Sequence, residues 1–218
     1  MRLLVVTREG AVRDRTRAIN QLKAAIVSAP DPLRDRLRDL DGTVLIKRCA
    51  RLRRTQSAGA AELAAIDCLR RLAARIVHLD AEIAAHTRDL MQLTSEHCPQ
   101  LLAEFGVGPV IAAQTYISWS HRGRCRSEAA FASLAGVAPI PASSGETVRY
   151  RLNRGGDRHL NRALHTVVLT RARQDPATKA YIERRVAEGK TRREARRCVK
   201  RYLARRFYRL LEHPPLDT

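Results

Sequence analysis

The sequence predicts a mainly α-helical protein: a long coiled-coil helical hairpin, followed by a small helical domain with a helix-hairpin-helix-like turn and a short β segment. Three observations carry this. From Ala60 to His97 there is neither Gly nor Pro, and Leu69, Leu72, Ile76, Leu79, Ile83, Leu90 and Leu93 recur in steps of three and four, with His86 the polar intruder. Beyond Cys98-Pro99, glycines and prolines cut the chain into short helical patterns. Strand-like alternation is confined to Val148-Arg149-Tyr150-Arg151, shortly after Pro139 and Pro141, whose fixed φ holds the backbone extended.

Composition narrows the class of partner. In 218 residues, 41 Lys and Arg face 22 Asp and Glu, a formal net charge of +19. An excess of that size asks for a polyanion, most simply nucleic acid. Aromatic residues make up only 4% of the chain, which favours backbone contacts by Arg and Lys over base-stacking platforms. Cysteines 49, 68, 98, 125 and 198 have no metal-ligand spacing and suit a reducing cytosol. With no apolar run long enough for a membrane span, the chain reads as cytoplasmic.

The elements follow in order. Val12, Ile19, Leu22 and Ile26 stripe a helix over residues 7–28; Pro30 and Pro32 end it, and short helices are expected at 33–40 and 44–52. The 60–97 helix would be roughly 57 Å long at 1.5 Å per residue. So narrow a seam needs a partner: residues 7–28 folded back, a second copy, or both, giving a homo-oligomer. Residues 1–97 therefore read as a helical, coiled-coil dimerisation region and residues 98–213 as a second domain.

In that second domain, Gly106-Val107-Gly108-Pro109 joins two short helices. Gly106 and Gly108 could turn backbone N–H groups toward a DNA phosphate, and a plain tight turn fits the spacing as well. A dinucleotide fingerprint is excluded, since the third glycine and preceding strand are absent. Ser143-Ser144-Gly145 sits on a turn with Arg149, Arg151 and Arg154 close behind. A serine hydroxyl needs help to attack phosphorus, and arginines can offset the charge that grows on the phosphate oxygens. On the residues alone, a surface loop whose serines satisfy turn hydrogen bonds is the better reading.

Farther on, Asp175-Pro176 restarts a helix that ends at Gly189, and Thr191-Arg192-Arg193-Glu194 has the form of a capping box. The last helix puts Ala195, Val199, Leu203, Phe207 and Leu210 on one face. Its ten flanking cations, among them Arg193, Arg197, Lys200 and Arg201, repel one another unless a polyanion lies alongside.

The run "GVGPVIAA … FASLAGVAPIPASSGETVRYRLNRGGDRHLNRAL" resembles the C-terminal domain of transposases of the insertion sequence 110 (116/110/902) family, and residues 2–93 resemble the helical segment before it. The resemblance implies DNA transposition by serine attack on a DNA phosphodiester. It places the nucleophile on Ser144, directly before the glycine, with Ser143 the lesser candidate and Arg149 beside it. It maps the Gly-Asp … Leu-x-Arg-x-Leu element onto Gly156, Asp157, Leu160, Arg162 and Leu164, with Arg158 and Arg162 one turn apart and facing DNA.

It further implies a guide RNA as possible partner. In the family's complete enzymes an N-terminal RuvC-like domain carries four acidic residues that hold Mg²⁺. This chain reads as the portion after that domain, so no metal ligand is assigned and no cofactor is expected in it. The alternative function is a non-catalytic, dimeric nucleic-acid-binding protein derived from a transposase.

Overall fold

The computed structural model describes residues 1–54, 58–141, 150, 151, 153 and 155–214. They are mainly α-helical and fall into two compact units, Leu3–Arg88 and, together with the first two residues, Asp89 onward. The α4 helix described below runs through the boundary.

In the first unit, α1 (Arg2–Val27) starts five residues earlier than its stripe suggests. Then come α2 (Asp31–Asp35), α3 (Gly42–Ala50) and α4 (Ala60–His97), the last at the bounds its lack of Gly and Pro predicts. Arg8 Nε donates to Thr87 Oγ1 at 2.8 Å, and Arg15 pairs with Asp80. Position numbers thus fall on one helix as they rise on the other, so α1 and α4 are antiparallel. The seam of α4 finds its partner within the chain: Leu69, Ala73 and Ile76 share a core with Ala18, Leu22 and Ile26.

The stripe on α1 is corrected. Val12 is exposed, and the seam passes through Ala11 and Ala18 instead, small side chains that let the helix axes approach. On α4, Leu69, Ile76, Leu79 and Leu90 are buried as expected, Leu72, Ile83 and Leu93 only partly, and Ala73 and Thr94 complete the buried line.

The second unit holds α5 (Pro99–Leu102), α6 (Pro109–Trp119), α7 (Glu128–Leu134), α8 (Arg158–Gln174), α9 (Pro176–Ala187) and α10 (Arg192–Glu212). The α10 helix is central, packing on α5, α6, α7, α8 and α9. It buries Ala195, Val199, Leu203, Phe207 and Leu211; Leu210, expected on this face, is only partly buried. The β segment is a two-residue ladder, β1 (Ile140–Pro141) against β2 (Tyr150–Arg151), antiparallel with Ile140 opposite Arg151. Among the described residues, no helix is long and apolar enough to cross a membrane.

Candidate nucleic-acid interface

The site is assembled around the start of α8. Asp157 is the N-cap: its Oδ1 accepts from the amides of His159 at 2.8 Å and Leu160 at 3.1 Å, and its Oδ2 from Ser118 Oγ at 2.6 Å. Burial pushes the Asp157 carboxyl up, but the Ser118 hydroxyl and the two amides outweigh it and hold the group below its ordinary value. The Asp157 amide also donates to the Leu134 carbonyl at 2.6 Å, tying α8 to the end of α7.

The preceding residue must be glycine. A Cβ on Gly156 would lie 2.4 Å from the Gly136 nitrogen and 2.5 Å from its Cα. The Gly-Asp element of the sequence thus locks one backbone against another and starts a helix. Leu160 and Leu164 below it are fully buried, while Arg158 and Arg162 are exposed.

Asn161 lies on the same helix. Its Nδ2 donates to the Ala135 carbonyl at 2.7 Å, which aims its Oδ1 at Lys200 on α10, where Lys200 Nζ donates at 2.9 Å. Burial holds the Lys200 ammonium below the usual lysine range, and the charge of Arg197 adds to that. Desolvation, then the charges of Lys200 and Arg196, lowers the His165 imidazole as well.

Two cavities of about 520 Å³ each meet at this point. One is lined by Arg151, Arg185, Lys190, Arg197, Lys200 and Arg201, with Gly136 to Pro139 along its wall; the other by Arg158, Arg162, His165, Arg197 and Lys200. Because Arg151 belongs to β2 and Pro139 immediately precedes β1, the foot of the hairpin forms part of the first cavity's rim.

The α10 cations divide into two groups. Toward its C-terminus Arg205 and Arg209 pair with Glu128, and Arg206 with Glu104, which also holds Arg171. Toward its N-terminus Arg192, Arg193, Arg197 and Arg201 are exposed and make no ion pair among the described residues. The helix opens with the expected capping box: Glu194 N donates to Thr191 Oγ1, and Glu194 Oε2 accepts from Thr191 N at 2.8 Å.

Of the residues the sequence singles out, Arg151, Arg158, Arg162, Arg197, Lys200 and Arg201 converge on these cavities. Arg193 is exposed but lines neither. Ser143, Ser144, Arg149 and Arg154 lie outside the described residues. Gly106 has φ +81° and packs against Thr170 of α8, where a Cβ would come within 3.3 Å of Thr170 Cγ2; Gly108 caps α6 with nothing near it. Neither glycine lines either of these two cavities. Sequence reasoning passed over Asn161 and Arg185, whose relevance depends on which way their helices face, and counted Lys190 only among the ten cations flanking the last helix. The described residues include no group of three or more His, Cys, Asp or Glu side chains that could hold a metal.

Known proteins resemble the segment around this cleft in sequence. A model of the transposase IS116/IS110/IS902 family matches residues 98–183, which span α5 through most of α9. Over this segment, less than half of the chain, the sequence is similar to that family. An insertion element IS900 uncharacterized 42 kDa protein of Mycobacterium paratuberculosis is 27% identical over 236 residues, covering 89% of this chain and 59% of that protein. An insertion element IS110 uncharacterized 43.6 kDa protein of Streptomyces coelicolor is 35% identical over 98 residues, 44% of this chain and 24% of that protein. The chain thus spans 59% or less of the curated relatives it matches. The matched family segment contains the Gly136–Gly156 contact, the Asp157 cap and the hairpin, while all of the open cations of α10 lie beyond it.

Proposed function

We propose that this chain acts as a transposase in DNA transposition, holding the phosphodiester backbone in the basic cleft and bringing Ser144 to phosphorus. One observation carries the reading: Arg151, Arg197, Lys200 and Arg201 converge on a single cavity beside the hairpin whose connecting residues, 142–149, include that serine. Both curated relatives are named as insertion-element proteins, which supports transposition as the setting. In the step itself the serine Oγ–P bond forms and a P–O bond to one deoxyribose breaks. The hydroxyl proton leaves to a base, and the departing DNA oxygen takes one up. Guanidinium groups such as Arg149 would offset the charge that develops on the non-bridging oxygens. DNA is the partner in this reading; a guide RNA and a second copy of the chain belong to the same proposal.

The test uses the chain fused behind an intact acidic domain of the family it resembles. A covalent protein–DNA ester survives denaturation, so it is read directly on a denaturing gel. Ser144→Ala should abolish it with DNA affinity nearly unchanged, and Arg149→Ala should slow its formation by about 10²–10³-fold. An adduct that persists in Ser144→Ala and vanishes in Ser143→Ala moves the nucleophile by one residue. Persistence in both variants refutes the serine mechanism in this loop.

A further inference from the structure

At the junction of α9 and α10, the side of α10 away from α8 carries a second feature. Tyr181 and Tyr202 meet edge to face, with ring centroids 5.8 Å apart at 87°. Tyr181 is half-buried, and Arg184 covers its ring at 5.3 Å. Tyr202 is left 58% exposed, unusual for so large a ring. Around the pair is a cavity of about 340 Å³ lined by Arg184, Arg185, Arg201 and Arg205. Arg205 is held by Glu128. Arg201 has no ion pair among the described residues, and Arg185, although its outer nitrogen reaches Glu188, keeps a buried Nε with no hydrogen-bond partner. Arg185, Cys198 and Arg201 also line the basic cleft, so the two cavities share a wall.

We propose that this corner is a seat for one unpaired nucleotide, its base stacking on Tyr202 and its phosphate meeting Arg185 and Arg201. Bases inside a duplex hide their faces against their neighbours, so an exposed ring can stack only on a base that has left the duplex. Arginines beside that ring supply the backbone contacts a single strand needs. The shared wall gives the strand a route: backbone that leaves the cleft past Arg201 arrives at Tyr202. The seat rests on the nucleic-acid reading of the cleft and extends it from a duplex to a place where duplex and single strand meet. Low aromatic content gives no hint of it, because two tyrosines 21 positions apart in sequence become one platform only when α9 packs on α10.

The full chain is titrated with a blunt DNA duplex and with the same duplex carrying a short tail of oligo-dT, of oligo-rU, or of abasic DNA. The pyrimidine tails should bind more tightly than the blunt duplex by roughly 5- to 150-fold, the range of one base–aromatic stack, and the abasic tail should add much less. Tyr202→Ala should erase the gain without changing blunt-duplex affinity, and Tyr202→Phe, which keeps the ring, should retain it. A gain from one sugar type only assigns the seat to DNA or to RNA; equal gains assign it to either. If the duplex binds but tails add nothing, or if Tyr202→Ala keeps the full gain, the seat is refuted while the cleft reading stands. If neither duplex nor tailed duplex binds, the cleft reading fails and takes the seat with it.

Discussion

Gly156 stands so close to Gly136 that a single added methyl group would collide with the Gly136 backbone at 2.4 and 2.5 Å and with the Leu134 carbonyl at 2.8 Å. No flexible side chain is there to move aside. The contact fixes the end of α7 against the start of α8, and both cavities of the cleft include Gly136 in their walls.

Gly156→Ala is therefore expected to destabilise the protein by about 1–3 kcal/mol or more, the usual range for overpacking. At this chain length that lowers the melting temperature by several degrees. Gly108→Ala is the matched control: a Cβ there meets nothing within 4 Å, and φ is −99°. It loses only the N-cap preference of glycine over alanine, with no backbone collision, and should melt clearly above Gly156→Ala. Equal melting temperatures for the two variants would contradict the contact.

The Ser118–Asp157 bond sets a pH dependence. The folded Asp157 carboxyl sits below its ordinary value of 3.8, so its stabilisation is present above that pH and is lost as pH falls through the folded value. Ser118→Ala removes one of the groups that lower it and should cost about 1.5–3 kcal/mol at pH 7, the scale of a hydrogen bond to a charged group. Urea denaturation should show the gap between variant and wild type closing as pH drops below about 3.8. A gap that stays constant to pH 2 would mean that the hydroxyl acts through packing alone.

The antiparallel pairing of α1 with α4 changes what a seam mutation does. Ile76 is fully buried in the core shared with α1. Ile76→Asp should therefore unfold the helices of this unit rather than release folded monomers, because the carboxylate has no partner there. Circular dichroism should report a loss of helicity and of cooperative melting. A variant that keeps wild-type helicity and sediments as a monomer would show instead that the seam faces a second copy.

How much of this was legible in the sequence depends on range. The bounds of α4 and the capping box at Thr191 and Glu194 follow from local rules, and both are found. Local pattern could not choose the partner of α4, because the same stripe serves a hairpin or a dimer. It also misplaced the stripe on α1, where Ala11 and Ala18 are too small to stand out beside Val12. The Gly136–Gly156 contact joins residues twenty positions apart through backbone alone and leaves no periodic signal. Likewise the ten cations that flank α10 read alike in sequence. Only the placement of Glu104 and Glu128 separates Arg205, Arg206 and Arg209 from those that stay open.

The same placement determines how the cleft should be tested. Deleting α10 would remove the middle of the core, so its open cations must be neutralised in place. Wild type binding duplex DNA through some six phosphate contacts should lose affinity with a log–log salt slope near −5, each contact contributing about −0.9. The measurement is that slope for wild type and for the triple variant Arg197→Gln, Lys200→Gln, Arg201→Gln, after circular dichroism has verified that the variant is folded. If the cleft holds the phosphodiester backbone, the variant's slope should be shallower by about 2–3. A folded variant with the wild-type slope would contradict the cleft as the DNA-binding site.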